Sequence, residues 1–260
     1  MIDFSGKRGL VLGVGNQRSI AWAVVERLHQ QGAELGLTFL RDPKGRFEAN
    51  VRKLGEQTSA TLIAECDVAS DESIEALIKQ VDEQWGELDF LVHSLAYADT
   101  QDLSKPFSET LRDGFNKAME ISAYSLLPLA KGVIPMMRKR GGGSIVSMSF
   151  IGSTLAVPNY NVMGPAKAAL ESCTRYLARE LGPENIRINS LSPGAIRTLS
   201  SAGIKDISEM IRVAGEHSAM KRTATQAEVA NTAAFLLSDA ASGITGQLIY
   251  VDCGYSIMAN

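Results

Sequence analysis

The sequence predicts an α/β fold built on one doubly wound parallel sheet of about seven strands, with helices on both faces. Three observations point to it. Short apolar runs alternate with longer amphipathic segments along the 260 residues, the trace that strand–helix–strand winding leaves in a sequence. The strands read as nearly continuous apolar runs without in/out alternation, as expected when both faces of a parallel sheet are covered. The first run, Lys7–Leu12, ends in the turn Gly13-Val14-Gly15 and leads into a helix, the opening of a Rossmann-type winding. No repeat, low-complexity tract or linker interrupts the chain, so residues 1–260 read as a single domain.

The elements follow in order. After the first strand, a helical pattern runs from about Ser19 to Gln31 and stops at Gly32. Ala33–Phe39 and Ala60–Glu65 read as the second and third strands, with a helix between them. Asp71–Trp85 is a helix with Ile74, Leu77, Ile78 and Val81 on one face and Ser70 or Asp71 as cap. Leu88–Leu95 is the fourth strand. A long helical region covers about Ser108–Arg140, with Pro128 and Pro135 as candidate interruptions. Gly143–Ser149 is the fifth strand, Val162–Leu181 a helix and Ile186–Leu191 the sixth strand. Helices near Ile207–Ala214 and Gln226–Ser238 precede a last strand at Leu248–Val251.

Composition excludes several classes of function. Hydrophobic residues make up 45% and charged residues 21%, which is ordinary for a globular protein. A net charge of −3 gives no reason to expect nucleic acid or an anionic membrane as partner, and no apolar run reaches the roughly 20 residues of a span. The N-terminus carries Asp3 and no basic leader before its short apolar run, which argues against a secretory signal. Cys66, Cys173 and Cys253 are odd in number and far apart. They suit a reduced cytoplasm better than a disulfide framework or a zinc site. His29, His93 and His217 are equally scattered, so no metal site is expected.

Chemistry concentrates at the strand ends, where open α/β sheets bind ligands. Arg18 stands where the last glycine of G-x-G-x-x-G would fall. In its place the chain offers Gly13 and then Ser19-Ile20-Ala21, with Ser19 able to bond a phosphate oxygen or cap the helix. Cys66-Asp67-Val68 ends the third strand. Asp67 either contacts an adenine or caps a turn. His93-Ser94-Leu95-Ala96 ends the fourth with small residues that let a ribose or nicotinamide approach. After the second strand, Asp42 suggests a ribose hydroxyl and NAD, whereas Arg41 and Lys44 suggest a 2′-phosphate and NADP, and a solvated loop is the third reading. Between the fifth strand and the following helix, Tyr160 precedes Lys167 by seven positions. On a helix that spacing is about two turns, which would set phenol and ammonium on nearly one face. Such a pair can serve as a proton donor and its electrostatic tuner, although taken alone it also fits a chance pairing on a helix surface.

These residues, together with the segment Pro158–Gly164 (PNYNVMG) and Ile196-Arg197-Thr198-Leu199, resemble the enoyl-acyl-carrier-protein reductases of bacterial fatty-acid synthesis. Those enzymes are divergent members of the short-chain dehydrogenase/reductase superfamily. The likeness runs from Gly6 to Ile257. Its most specific mark is the gap of six residues between Tyr160 and Lys167, where ordinary superfamily members have three. The resemblance implies reduction of the C2=C3 bond of trans-2-enoyl thioesters on acyl carrier protein, with NADH as cofactor and NADPH as the alternative. It assigns Tyr160 to the thioester oxygen and Lys167 to the nicotinamide ribose. Gly13, Ser19, Ile20, Asp67, Val68, Leu95, Lys167 and Ile196 to Ser200 (Ile196, Arg197, Thr198, Leu199 and Ser200) would line the cofactor. Ala98 and Phe150 join Tyr160 at the substrate. A lid is implied over about 197–215, with Met210 and Ile211 facing an acyl chain, and so is a cytoplasmic homotetramer built on the long helices. The wider spacing is read as moving the tyrosine about one helical turn from the lysine.

The sequence also departs from that pattern. Phe150 stands ten residues before Tyr160, where these reductases carry a second tyrosine. A donor role there is lost or moved to Ser149 or water. Leu40 replaces an amide often present in NADH-using members, and Ser192-Pro193-Gly194-Ala195 looks like the ordinary superfamily loop. Pro165 fits only if the helix begins near it. Two other readings share the fold, a reductase of a different thioester or carbonyl and a catalytically silent dinucleotide-binding regulator. Against the first, Met163 occupies the ordinary superfamily tyrosine position.

Overall fold

The computed structural model describes residues 2–198, 201 and 206–259. Its strands are β1 (Arg8–Leu12), β2 (Glu34–Phe39), β3 (Leu62–Glu65), β4 (Phe90–His93), β5 (Gly143–Met148), β6 (Ile186–Pro193) and β7 (Leu248–Val251). All pair in parallel, in the order β3-β2-β1-β4-β5-β6-β7. The chain starts mid-sheet at β1, winds out to β3, then returns to β4 and winds the other way. Strand order therefore reverses between β1 and β4, where a crevice opens beyond the carboxyl ends. Register lines up Leu12, His93, Ser147 and Ser190 across that edge.

Both faces are covered. On one, α1 (Ile20–Gln30), α2 (Arg46–Gln57) and α9 (Gln226–Leu237) pack Val24, Val25, Leu54 and Val229 against Val11, Leu37 and Val92. On the other, α3 (Asp71–Trp85), α6 (Leu126–Lys139) and α7 (Met163–Leu181) cover Leu10, Leu91, Ile145 and Ile188. This double cover explains why every residue of β4 and β6 is buried and why their sequences do not alternate. Helix ends follow from local chemistry. Ser70 accepts from the Ser73 amide to start α3, and Gly86 at φ 66° ends it. Thr225 and Glu228 close a reciprocal capping box on α9.

Several boundaries differ from the sequence expectation. The long helical region starts at Arg112, after a short α4 (Thr100–Ser104) and a 3₁₀ turn at Phe107–Glu109. Neither proline breaks it. The irregularity is a π turn, Glu120–Tyr124, between α5 (Arg112–Met119) and α6. Its wide bond runs from Ser125 N–H to Glu120 C=O, a geometry often found at functional sites. Pro128 lies in the first turn of α6 and Pro135 is carried inside it. β6 extends two residues further, to Pro193. The helix α8 (Ile207–His217) follows as expected.

Most consequential is the start of α7. Tyr160 is not on that helix. Asn159 and Asn161 take left-handed backbone angles, φ 61° and 39°, which a short polar side chain tolerates and a helix interior does not. The helix begins at Met163, so Pro165 falls in its first turn, where a missing N–H costs little. The two-turn, one-face relation between Tyr160 and Lys167 is therefore replaced by a turn that delivers the ring to the cleft from outside the helix.

Candidate active site

Loops following β1, β4, β5 and β6 converge on one cleft of about 290 Å³ at the carboxyl edge of the sheet. Its floor depends on glycine. Gly13 has φ +96°, and a Cβ there would stand 1.9 Å from the Ser94 carbonyl oxygen. The β1 and β4 loops can thus touch only because that position is bare. Beside it, Ser19 caps α1 by accepting from the Trp22 amide, while its own hydroxyl donates to Asn16 C=O. No acidic residue occupies the first turn of α1, so its positive end remains open toward the cleft. A pyrophosphate fits this cradle of bare backbone and helix N-terminus.

The cleft gathers most residues singled out from sequence. Gly13, Ser19, Ile20 and Leu95 line one part, Lys167, Ile196 and Thr198 another, and Ala98, Phe150 and Tyr160 a third. Ile207 and Met210 of α8 close it from above. Asp67 and Val68 are not part of its lining. They lie at the end of the edge strand β3, two strands from β1, about 10 Å away at ordinary strand spacing. There the Asp67 carboxylate accepts from the Ala69 amide, and Val68 packs on the core. The Arg197 guanidinium donates to Ser208 Oγ at the surface. Leu199 and Ser200, with 202–205 of the expected lid, lie outside the described residues.

Tyr160 is clamped by its neighbours. Its ring lies 4.8 Å from that of Phe150 at 57°, and a Cβ on Gly152 would meet it at 2.4 Å. Burial, with the nearby Glu171 charge adding to it, pushes the phenol pKa well above its usual range. The hydroxyl is therefore protonated at neutral pH. Lys167 is buried on α7, and its ammonium donates to Met148 C=O at 2.6 Å and Leu95 C=O at 3.1 Å. Burial pulls its pKa down to about 8, against an upward pull from Glu171. His93, buried beneath, is held neutral with a pKa pushed down to about 3 by burial and by the Lys167 charge. Its Nε2 pairs with Ser125 Oγ at 2.8 Å. Ser147, Thr174 and Ser190 form a buried hydroxyl triangle, 2.8 to 3.3 Å on a side, that ties α7 to β5 and β6.

Three features were not picked out from sequence. Glu171 accepts from Ser149 Oγ, which commits the hydroxyl expected as a replacement donor. The signal was an acid four residues after Lys167 on the buried face of an amphipathic helix. Gly152 had no signal beyond being glycine. Tyr97, on the β4 loop, lines the cleft, while its hydroxyl donates to Asp99 and accepts from Lys117.

A Rossmann-type sheet with a glycine cradle and a buried tyrosine and lysine in one cleft is the architecture of the short-chain dehydrogenase/reductase class. The family model described as enoyl-(acyl carrier protein) reductase matches residues 13–256, and the chain belongs to that family. It is 52% identical over 258 residues to an NADH enoyl-[acyl-carrier-protein] reductase of a Synechocystis species, covering 99% of each chain. Among solved structures, the Aquifex aeolicus enoyl-[acyl-carrier-protein] reductase (NADH) superposes with a TM-score of 0.94 at 41% identity over 99% of both chains. The Anaplasma phagocytophilum enoyl-(acyl-carrier-protein) reductase, solved with NAD, gives 0.93 at 39% identity over 99% of this chain and 96% of that one.

Proposed function

We propose that this chain reduces the C2=C3 bond of trans-2-enoyl thioesters carried on acyl carrier protein, using NADH, in fatty-acid elongation. One observation carries the reading, namely that Tyr160 and Lys167 share a cleft with the Gly13 cradle. NADH, when bound, supplies the hydride that reaches C3. Gly13, Ser19 and Ile20 would hold its pyrophosphate, and Leu95 and Lys167 the nicotinamide ribose. Ile196 to Ser200 would flank the nicotinamide, and Asp67 and Val68 the adenine end. The protein's chemical task is the negative charge that develops on the thioester oxygen. Tyr160, kept protonated by burial, donates to that oxygen from a fixed position in a water-poor cleft, where a preorganised donor is strongest. The Lys167 charge, in the same cleft, adds to this stabilisation. Phe150 contributes packing and no proton, while Ala98 leaves room for the thioester.

The loop after β2 is where a 2′-phosphate would be met. Arg41 is ion-paired with Glu65 at 2.6 Å, and both Asp42 oxygens accept backbone amides, from Lys44 and Phe47. Arg41 is thus paired at the surface while Lys44 stays exposed in the same loop, and NADH is the cofactor in the Synechocystis relative's name. The domain extends over 1–260, with a lid at about 197–215. The enzyme would work in the cytoplasm as a homotetramer packed through α5–α6 and α7, whose outer faces expose Tyr124 and Tyr176.

Purified protein mixed with a crotonyl or longer trans-2-enoyl thioester should consume NADH faster than NADPH, read as loss of reduced-cofactor absorbance. No consumption with either, in protein shown to bind one, would sink the reading. Turnover of 3-oxoacyl thioesters alone would move the assignment to carbonyl reduction, which Met163 at the ordinary tyrosine position argues against.

A further inference from the structure

Glu171 is a buried acid that the proposed chemistry has not used. It sits one turn beyond Lys167 on the inward face of α7, and Ser149 Oγ donates to it from the end of β5. A carboxylate withdrawn from water is unfavourable unless a hydrogen bond and an opposite charge offset the loss. Ser149 supplies the bond. The only cation buried beside it on α7 is Lys167, which meets the cleft through neutral carbonyls of Leu95 and Met148. We infer that Glu171 is a positioning residue that keeps the Lys167 ammonium charged inside the cleft, with Ser149 fixing its carboxylate.

Other groups around Lys167 do not do this. His93 from β4 is neutral and would itself be charged only well below neutrality. Tyr160 is protonated. The π turn and α5 bury Ser122 and Ala118, with Lys117 and Glu120 exposed. β6 contributes Ser190, and the turn at Ile151–Ser153 carries no ionisable side chain. Glu171 is thus the acid that acts on both Tyr160 and Lys167. Losing the Lys167 proton above about pH 8 would strip positive charge from the ribose and the thioester oxygen together.

This inference rests on the proposed NADH-dependent reduction. It is tested by the pH dependence of kcat/KM for NADH and, separately, of NADH affinity by calorimetry. In the unmodified enzyme both should fall as pH rises through about 8. Removing a nearby negative charge lowers an ammonium pKa, so Glu171→Gln should move that limb about one unit toward acid, while Glu171→Asp restores most of it. A purely structural role would change stability and leave the limb in place, and an unshifted limb in folded Glu171→Gln overturns the inference. Should that variant not fold, Ser149→Ala/Glu171→Met replaces both partners with apolar groups of similar shape. The same shift is expected there, and its absence has the same force. Failure of the unmodified protein to bind NADH at any pH overturns the parent reading itself.

Discussion

The two edges of the sheet both hold charge, but they neutralise it in opposite ways. At the amino edge, the buried Asp89 accepts from the Arg8 amide at 2.8 Å and from two nitrogens of Arg140 at 2.9 and 3.0 Å, with Lys7 at 3.4 Å. Each oxygen is matched by a cation or a backbone donor. At the carboxyl edge, Lys167 faces carbonyls, the His93 Nδ1 has no partner among the described residues, and Tyr160 presents its phenol to a cleft. Saturated charge holds loops together. Incompletely matched charge keeps perturbed protonation states and a capacity to respond to a ligand, which is how sites for chemistry differ from struts.

That contrast can be broken by exchanging the expected effects. The largest stability loss should come from Asp89→Asn, which leaves Arg140 without its full counter-charge. About 3 kcal/mol is expected, read as a lower denaturant midpoint, with kcat of the folded enzyme within about twofold of the original. A large fall in kcat there would mean the amino edge reaches the chemistry. The smallest effect should come from Phe150→Tyr, which adds a hydroxyl to a ring already packed on Tyr160. Turnover should change by less than about threefold, since one preorganised donor already serves the oxygen. A gain of tenfold or more would show that Tyr160 does not carry the developing charge alone.

The sheet was legible because parallel strands covered on both faces leave apolar runs, and all seven were located from those runs. Tyr160 and Lys167 were legible as a pair through their spacing and flanking motif. How they meet was not, because the left-handed angles at Asn159 and Asn161 depend on local backbone choice that residue type only permits. The π turn at Glu120–Tyr124 escaped because one wide hydrogen bond barely alters a helical pattern. Asp42, Arg41 and Lys44 looked available to a cofactor, yet Asp42 binds the Lys44 and Phe47 amides and Arg41 pairs with Glu65, leaving Lys44 exposed. Glu171 was hidden because an acid four residues from a lysine normally marks an exposed helix face, and only its burial sets it behind the cleft, one turn along α7 from Lys167.

The carboxyl edge would perform the chemistry through one phenol. The most direct test measures kcat for trans-2-enoyl thioester reduction and the melting temperature of Tyr160→Phe on the same preparation. Removing the hydroxyl leaves the ring contacts with Phe150 and Gly152 in place, so the melting temperature should hold while kcat falls by about 10²–10³-fold. An unchanged kcat in a protein that melts normally would contradict the account.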